Sequence, residues 1–375
     1  MKMNYKLTPR FYYTLSLLSY FKFGYKESDN IFQRGINFNS ARTALRLLLS
    51  SISSKDLKVG VQAFTCHTVF QAIKKSGHNA VFIDVNNNFQ LCLMDLAKKI
   101  DKLDVLIVTH TFGFPEQMER IKEIAKNVII IEDCAHSFLS KSNKVLTGEL
   151  ADGSIFSTGL AKFPAIGSGG FCLINNINKF PFYNEEYRKL KPQGFLSSAV
   201  SFVKTLFLAA LMKAPFYGLI TYPLGKKLDS KLDFIDKFSF KENLQCSWVK
   251  HVFLSNQKNF STQLAIQKDN SDYLSSLLDS SIKTIAINNG DEPNNYVFAI
   301  RVKERDLLFT ELLENNIESG KHFSKSLEWA LEFGYKPNAC INTEIIINQV
   351  ITLPIHKGVN KKVIKRMSEI VNKYA

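Results

Sequence analysis

The sequence predicts an α/β fold with a mostly parallel sheet in a large domain and a smaller C-terminal α/β domain. Apolar runs of strand length recur between about residues 35 and 176, and helical segments of about 10–15 residues separate them. These runs are continuously apolar, which is typical of strands covered on both faces. The chain has 375 residues, 45% of them apolar, which is enough for one large and one smaller core.

Strands and helices alternate along the first half of the chain. The predicted strands lie at 58–64, 80–84, 104–110 and 128–133, with two more at 155–158 and 171–175. The predicted helices lie between the first four strands, in a segment that ends at Lys75 and at 93–100 and 116–125. This alternation predicts parallel strands joined by helical crossovers.

The pattern changes at Tyr187 and again near Ser247. A long polar helix is predicted from Trp248 to about Leu278, and it is followed by a strand at 296–302 and a helix at 305–315. A last strand at 350–354 and a last helix at 361–373 complete the chain. We therefore predict an N-terminal segment at 1–34, a large domain at 35–247 with an apolar insertion at 187–241, and a small domain at 248–375.

The cysteines and the charge restrict the class of protein. The six cysteines are scattered with no CxxC pair, which favours reduced thiols in a cytoplasmic protein over a disulfide frame or a metal site. The N-terminus lacks the apolar stretch and cleavage site of a secretory signal. The net charge of +14 fits a nucleic acid, an anionic membrane or an anionic substrate. Because no nucleic-acid-binding motif accompanies the lysines, we expect no nucleic-acid partner.

Two polar residues follow apolar strands at the edge where ligands bind. Asp133 ends the strand predicted at 128–133, and a buried carboxylate there needs a cationic partner such as a protonated pyridine nitrogen. A helix N-cap or a metal ligand are the alternatives for Asp133 alone. Lys162 follows the strand at 155–158 and precedes the Gly-rich segment 167–170. A lone lysine before glycines is usually a surface residue, but near an apolar, partly desolvated site it can form a Schiff base.

These segments resemble the pyridoxal-phosphate-dependent sugar aminotransferases of the DegT/StrS type, from about Gly35 to the C-terminus apart from the insertion. Residues 131–136 are similar to the family's strand-end motif, and residues 156–170 are similar to its lysine segment. The resemblance implies the PLP-transferase fold type I, with pyridoxal 5'-phosphate as the cofactor. It also implies that Lys162 holds the cofactor covalently and that Asp133 pairs with its pyridine nitrogen.

Further positions match residues that surround the cofactor in that family. Ser40, Ala41 and Arg42 stand at the helix start that binds the cofactor phosphate, a role that suits the free N–H groups of a helix N-terminus. Ser157 matches a serine that contacts the phosphate. Asn243 matches an asparagine that reaches the phosphate of the partner subunit, which implies a homodimer with shared sites. Two further segments match the family, at 110–113 and 353–356.

Several of these positions depart from the family pattern. Ala41 and Arg42 stand in place of the family's Gly-Thr pair, and the guanidinium of Arg42 is suited to hold part of a phosphate. Cys66 stands where an aromatic side chain usually stacks on the cofactor ring, and His67 beside it is a possible substitute. His136 replaces a glutamine next to the cofactor. Gln245 replaces an arginine near Asn243.

The resemblance implies transfer of an amino group, from glutamate, to a keto group of a nucleotide-activated sugar for cell-surface polysaccharide or glycoconjugate biosynthesis. Some relatives replace the lysine with histidine and carry out a dehydration, so Lys162 favours transamination. Two alternatives stay open, namely a PLP-dependent sugar dehydratase and a non-catalytic membrane-associated scaffold on the same fold. The departures at Arg42, Cys66 and Gln245 motivate the scaffold.

The stretch at 195–223 is apolar and aromatic, and Lys204 and Lys213 are its only charged residues. A transmembrane helix needs about 20 apolar residues, so the two lysines and Pro215 disfavour a span. A buried core insertion and a hairpin on the inner face of the membrane both stay open. In the hairpin, the aromatic side chains would lie at headgroup depth and Lys204, Lys213, Lys226 and Lys227 would meet anionic lipid.

Overall fold

The computed structural model describes residues 6–13, 31–229 and 241–375, and the side chains of 227–229 are not among them. Parts of the predicted N-terminal segment and the end of the predicted insertion, at 230–240, lie outside the described residues. Within these ranges the helices and strands follow the predicted order, and most of their ends lie within two or three residues of the expected positions.

The strands are β1 (Ile36–Phe38), β2 (Lys58–Gln62), β3 (Asn79–Ile83), β4 (Val105–Thr109), β5 (Ile129–Asp133), β6 (Lys141–Ser142), β7 (Val145–Leu146), β8 (Gly153–Ser157), β9 (Gly170–Ile174), β10 (Lys283–Thr284), β11 (Asp291–Glu292), β12 (Phe298–Arg301) and β13 (Val350–Leu353). The helices are α1 (Ile31–Arg34), α2 (Ala41–Ser50), α3 (His67–Lys75), α4 (Leu93–Lys99), α5 (Met118–Ile124), α6 (Tyr183–Arg188), α7 (Phe195–Leu211), α8 (Tyr222–Asp229), α9 (Ser247–Leu277), α10 (Arg305–Glu314), α11 (Ser326–Leu331), α12 (Ile341–Ile346) and α13 (Lys361–Val371).

A seven-stranded sheet forms the centre of the fold, in the order β1-β9-β8-β5-β4-β2-β3. The five strands from β8 to β3 are parallel, and β9 is antiparallel to both β8 and β1. Thr109 pairs with Asp133, and Asp133 pairs with Ile155, so the carboxyl ends of β4, β5 and β8 lie side by side. The predicted mostly parallel sheet is confirmed.

Strand β4 shows why the predicted strands are apolar throughout. Val105 and Ile107 belong to the core shared with α2 and α3, whereas Leu106 and Val108 belong to the core shared with α4 and α5. Successive side chains of a strand point to opposite faces, so a strand covered by helices on both faces has no solvent side. Full burial of each such side chain stabilises the fold by about 1.5–3 kcal/mol.

The C-terminal part contains its own antiparallel sheet, in the order β10-β12-β13, and α10 and α13 pack on it. The N-terminal residues 6–13 lie against this part of the chain. Thr8 exchanges backbone hydrogen bonds with the residues on either side of Ile317, and the ring of Phe11 stacks on Tyr296 at a centroid distance of 5.7 Å. The beginning of the chain therefore contributes to the packing of the C-terminal part.

The predicted apolar insertion forms helices on the surface. Only Thr205 and Ala209 of α7 are buried, and a π-helical turn, Tyr217–Thr221, connects the following chain to α8. The interpretation of this stretch as a buried core insertion is therefore wrong for α7, because one side of the helix contacts the protein and the other does not. No helix in the described ranges combines the length and apolar character that crossing a membrane requires.

Candidate active site

A cavity of about 210 Å³ opens at the carboxyl ends of β4, β5 and β8. This is the edge at which open α/β sheets bind ligands. Residues predicted from the sequence that line this cavity are Ser40, Ala41, Arg42, Cys66, Asp133, His136, Ser157 and Lys162. Residues that complete the walls without having been predicted are Leu45, Thr65, Thr68, Val69, Thr109, Ala135, Ile155 and Phe323.

Asp133 is the last residue of β5 and is almost completely buried. Its Oδ1 accepts a hydrogen bond of 3.0 Å from the backbone N–H of Ala135. Burial raises the pKa of Asp133, while this hydrogen bond and the positive charge of Lys162 act in the opposite direction. A carboxylate held here stabilises a cation placed beside it in the cavity.

Lys162 lies in the loop between β8 and β9, and this lysine loop (residues 158–169) is closed by its own hydrogen bonds. Thr158 donates its hydroxyl proton to the carbonyl of Ser168 at 2.7 Å, and its backbone N–H donates to Gly169 at 3.1 Å. Tyr296, which precedes β12, donates its hydroxyl proton to the carbonyl of Ala161. The lysine loop is therefore closed at its base, and Ala161, the residue before Lys162, is held by the C-terminal part.

The electrostatic surroundings of Lys162 favour a reactive amine. Burial lowers the pKa of Lys162, and the negative charges of Cys66 and Asp133 partly offset that change. A larger neutral fraction makes the Nζ atom a better nucleophile and base.

Gly170 is the first residue of β9, directly after the lysine loop, and it packs against Ala41 at the start of α2. A Cβ atom at this position would overlap the backbone nitrogen and Cα of Ala41. Only glycine permits such a close approach between two backbone segments. The glycine therefore fixes the distance between the loop that holds Lys162 and the N-terminus of α2.

The N-terminus of α2 faces the cavity and offers an anion site. Ser40 caps the helix, because its Oγ accepts a hydrogen bond of 3.2 Å from the backbone N–H of Thr43. The partial positive charge of the helix end attracts anions. Arg42 adds a guanidinium whose Nη1 donates to Gln71 at 2.6 Å, and burial lowers the pKa of Arg42. Ser157 contributes a hydroxyl from the end of β8.

Cys66 directly precedes α3, and its thiol is held by two neighbours. Its Sγ accepts a hydrogen bond of 3.3 Å from the hydroxyl of Thr68 and lies 3.7 Å from Nδ1 of His67. Burial alone raises the pKa of Cys66, but the hydrogen bond with His67, the charges of His67 and Lys162 and the Thr68 hydroxyl together lower it to about 7. Cys66 therefore places a readily ionised thiol in the cavity wall.

His67 lies outside the cavity walls, in contrast to the expectation that its ring substitutes for the missing aromatic. Its ring meets that of Trp329 edge-on at a centroid distance of 5.0 Å. Cys66 is the extended N-cap residue and His67 is the first residue of α3, so the Cys66 thiol lines the cavity while the His67 ring, which still reaches that thiol through Nδ1, packs on Trp329.

The aromatic rings near the cavity are His136 and Phe323. These rings are parallel, with centroids 5.5 Å apart. Nδ1 of His136 accepts a hydrogen bond of 3.3 Å from the backbone N–H of Phe112. Burial lowers the pKa of His136 well below its ordinary value, so the ring is neutral at pH 7. Phe323 comes from the C-terminal part, and no local pattern in the sequence marked it.

Thr109 is a wall residue that the strand-end rule could have identified. It ends β4 and pairs in register with Asp133. Its Oγ1 is buried and has no hydrogen-bond partner within the described ranges. A buried hydroxyl without a partner costs about 1–3 kcal/mol unless a ligand supplies one.

Asn243 is not brought into the cavity by the fold of a single chain. It precedes α9, and its carbonyl accepts a hydrogen bond of 3.0 Å from the backbone N–H of Asn39. The cavity of one chain is thus formed without the residue that the family resemblance assigned to a neighbouring subunit.

A separate buried group, His110, Glu132 and Cys134, brings potential metal ligands within 4.8 Å of one another. Nε2 of His110 donates to Glu132 at 2.9 Å, and its Nδ1 accepts from the backbone N–H of Glu116. Glu132 also accepts from the backbone N–H groups of Gly148 and Leu150. Because these hydrogen bonds use the lone pairs of His110 and Glu132, the group serves to fix the neighbouring loops.

The sequence profile of the DegT/DnrJ/EryC1/StrS aminotransferase family matches residues 32–208 and 243–372. The chain is 36% identical over 136 residues to GDP-perosamine synthase of Escherichia coli O157:H7, an alignment that covers 35% of this chain and 37% of that protein. It therefore spans less than two fifths of the length of this relative.

A longer alignment reaches dTDP-3-amino-3,6-dideoxy-alpha-D-galactopyranose transaminase of Aneurinibacillus thermoaerophilus, with 24% identity over 314 residues, 81% of this chain and 75% of that protein. Among solved structures, the PLP-form of Spr1654 from Streptococcus pneumoniae has a TM-score of 0.71 at 18% identity and covers 96% of this chain and 95% of its own. At this identity the structural likeness shows the fold.

Proposed function

This chain belongs to the DegT/DnrJ/EryC1/StrS aminotransferase family, and from that premise we propose that it is a pyridoxal-phosphate-dependent aminotransferase. The proposed reaction delivers an amino group to a keto group of a nucleotide-activated sugar, as the names of its relatives suggest. The observation that carries the proposal is the placement of Lys162, Asp133 and the N-terminus of α2 around one cavity.

The residues of the cavity fit pyridoxal 5'-phosphate. The N-terminus of α2 with Ser40, Arg42 and Ser157 would hold the phosphate, and Asp133 would accept a hydrogen bond from the protonated ring nitrogen. The buried hydroxyl of Thr109, which has no hydrogen-bond partner among the described residues, is available to a polar group of the cofactor. When bound, the cofactor supplies an aldehyde for covalent attachment and a ring that withdraws electrons from the reacting carbon.

The chain's own groups then position the reactants and move protons. Lys162 would hold the cofactor through Nζ, and its free amine would take and return a proton at the reacting carbon. Its lowered pKa keeps a fraction of the amine neutral for that task. Burial raises the pKa of Asp133, and a ring cation beside it would favour the carboxylate, because a neighbouring positive charge lowers that pKa.

His136 and Phe323 form an apolar, neutral wall next to these groups. Their stacked rings limit the entry of water on that side of the cavity. Exclusion of water strengthens the interaction between Asp133 and a cation, since the local dielectric constant falls. We propose that the pair takes over part of the role that a stacking aromatic has in the family, because Cys66 stands at that position.

The finer features of the reaction are further parts of this proposal. We propose glutamate as the amino donor, and a product used in cell-surface polysaccharide or glycoconjugate biosynthesis. We also propose a homodimer in which Asn243 of each subunit completes the phosphate site of the other, since the fold of one chain leaves Asn243 outside its own cavity. The six free thiols are consistent with a reaction in the reducing cytoplasm.

The proposal is tested by locating the cofactor on the chain. The purified protein is loaded with pyridoxal 5'-phosphate, reduced with borohydride, digested and analysed by mass spectrometry. We expect the added mass on Lys162, and we expect Lys162→Ala to lose both that mass and the transfer of nitrogen from labelled glutamate to 4-keto and 3-keto nucleotide sugars.

The matched control is Lys99→Ala, which removes a lysine from α4 that does not line the cavity and that pairs with Asp95 at 2.7 Å. This variant should keep the labelled Lys162 peptide. A labelled lysine elsewhere in the parent protein, with Lys162 unmodified, would contradict the assignment.

A further inference from the structure

The outer face of α7 carries a continuous apolar stripe. Its exposed members are Phe195, Leu196, Val200, Val203 and Phe207, and the last four recur at intervals of four, three and four residues. This spacing places them on one side of a helix. Beyond α7, Phe216, Ile220 and Leu224 are also exposed large apolar side chains. Contiguous apolar surface of this kind marks an interaction site in most proteins.

The inner face of α7 packs against the rest of the protein, so the apolar stripe on its outer face is not part of the core. Thr205 and Ala209 are buried, and the ring of Phe202 meets that of Trp248 at a centroid distance of 5.8 Å. The hydroxyl of Thr221 donates to the carbonyl of Leu211 at 2.7 Å and ties the following turn to the helix end. The orientation of the stripe toward the outside is therefore set by packing on the opposite side.

The charged residues of the segment that carries the stripe are cations, up to Asp229 at the end of α8. Residues 187–228 include seven lysines and arginines and no aspartate or glutamate. Lys204 lies exposed within α7 itself, and Lys226 is exposed on α8. An apolar helical face bordered by cations fits an anionic lipid surface, where the apolar groups enter the headgroup region and the cations meet lipid phosphates.

The same charge argues against a second copy of this chain as the occupant. A two-fold interface brings the same patch of both subunits together. Lys204 and Lys226, which border the stripe, would then share one contact with the same two lysines of the other copy, and like charges brought together oppose association. The helix has 17 residues with Lys204 in its middle, so it suits a position in the plane of the interface.

We propose that the outer face of α7, together with the turn and helix that follow it, docks the protein on an anionic membrane surface. Docking would also bring the lysine loop close to the membrane, because α7 packs against that loop. A Cβ atom at Gly167 would lie 2.7 Å from Cγ2 of Thr205, and the hydroxyl of Tyr13 bridges the carbonyls of Ile166 and Thr205. The loop that holds Lys162 is thus about one helix diameter, roughly 10 Å, from the docked face.

Flotation of the full chain with vesicles tests the proposal, and this assay does not depend on the cofactor. The vesicles consist of phosphatidylcholine alone or of equal parts phosphatidylcholine and phosphatidylglycerol. We expect the protein to float only with the anionic vesicles and to be released as salt rises, because ions screen the lysines. Lys204→Gln should lower the partition coefficient about fivefold.

The decisive variant is Val203→Ser/Phe207→Ser, which removes two side chains that are 61% and 66% exposed, so the fold should be unaffected. We expect it to lower the partition coefficient about tenfold or more. Its matched control is Ile287→Ser/Leu307→Ser, in which the two side chains are 56% and 60% exposed on the C-terminal part, and this variant should float like the parent.

Three results would overturn the proposal. The parent protein could remain at the bottom of the gradient with both kinds of vesicle, or it could float equally well with phosphatidylcholine alone. The third result is a change of oligomeric state, in which light scattering shows a dimer for the parent protein and a monomer for Val203→Ser/Phe207→Ser. That result would mean that a second copy of the chain, and not a membrane, covers the apolar stripe.

Discussion

Replacing Asp133 by asparagine separates its chemical role from its structural one. The two side chains have the same shape, and the asparagine Oδ1 can keep the hydrogen bond of 3.0 Å from the backbone N–H of Ala135. The substitution therefore removes the charge and leaves the packing at the end of β5 in place. We expect a folded protein that has lost its electrostatic partner for the cofactor ring.

The size of the effect follows from the contact that is lost. A hydrogen bond to a charged group contributes about 1.5–3 kcal/mol, which corresponds to a loss of about 10- to 100-fold in the transfer rate. The loss exceeds this range if the ring also loses its proton, because the reacting carbon then becomes less acidic. This loss is measured as the rate of nitrogen transfer from labelled glutamate, for the variant and the parent, in the presence of saturating cofactor.

The stability of the protein without cofactor should change in the opposite direction. Burial raises the pKa of Asp133 in the folded chain, so the folded state holds this proton more tightly than the unfolded state. The unfolded state then binds fewer protons, and the free energy of unfolding falls as the pH rises through the range above about 3.9. Asp133→Asn removes this loss and should be at least as stable as the parent at pH 7.

Chemical denaturation of both proteins without cofactor, at several pH values, checks this expectation. The control is Asp152→Asn, which changes a carboxylate that accepts a 3.0 Å hydrogen bond from the backbone of Ile130 at the opposite end of the sheet, and it should leave the rate unchanged. Comparable turnover in Asp133→Asn and the parent would refute the role of Asp133. Unfolding of the variant at pH 7 would instead show that the carboxylate is needed for the fold.

Mixing Lys162→Ala chains with Asn243→Ala chains should restore activity that neither variant has alone, because each mixed dimer contains one intact site. Absence of rescue in heterodimers proven by mass would contradict the shared site. The rate at which iodoacetamide alkylates Cys66 should be half-maximal near pH 7, because the hydrogen bond and charge of His67, aided by Lys162, favour the thiolate against the effect of burial. Mass spectrometry of the Cys66 peptide measures the rate, and a midpoint near the ordinary thiol value of 9.0 would rule out this activation.

The positions of Asp133 and Lys162 illustrate what local sequence patterns contain. The apolar run before Asp133 predicted a buried strand, and β5 ends at that residue. Covered strands and their crossover helices follow from periodicity alone, so the parallel sheet and the edge that bears the cavity were predictable. The family resemblance, which depended on the same segments, is confirmed by the match over residues 32–208 and 243–372.

Residues that approach the cavity from distant parts of the chain were not predictable in the same way. Phe323 and Tyr296 contact the site through the packing of the C-terminal part, and neither has a neighbour in the sequence that marks it. His67 shows the reverse case, because it lies next to a cavity residue in the sequence, yet its ring packs on Trp329 from the C-terminal part and not in the cavity. Such positions depend on contacts between distant segments, which no local pattern specifies.

The apolar character of residues 195–223 was evident from composition, but composition could not decide which side of the helix faces outward. That orientation depends on contacts of Thr205, Ala209 and Phe202 with the lysine loop and α9. The sequence by itself determined the strands, the helices and the two residues at the strand ends, because each depends on neighbouring residues. Only the tertiary structure decided which walls enclose the cavity and which apolar face is exposed, because burial is a property of the packed chain and not of a segment.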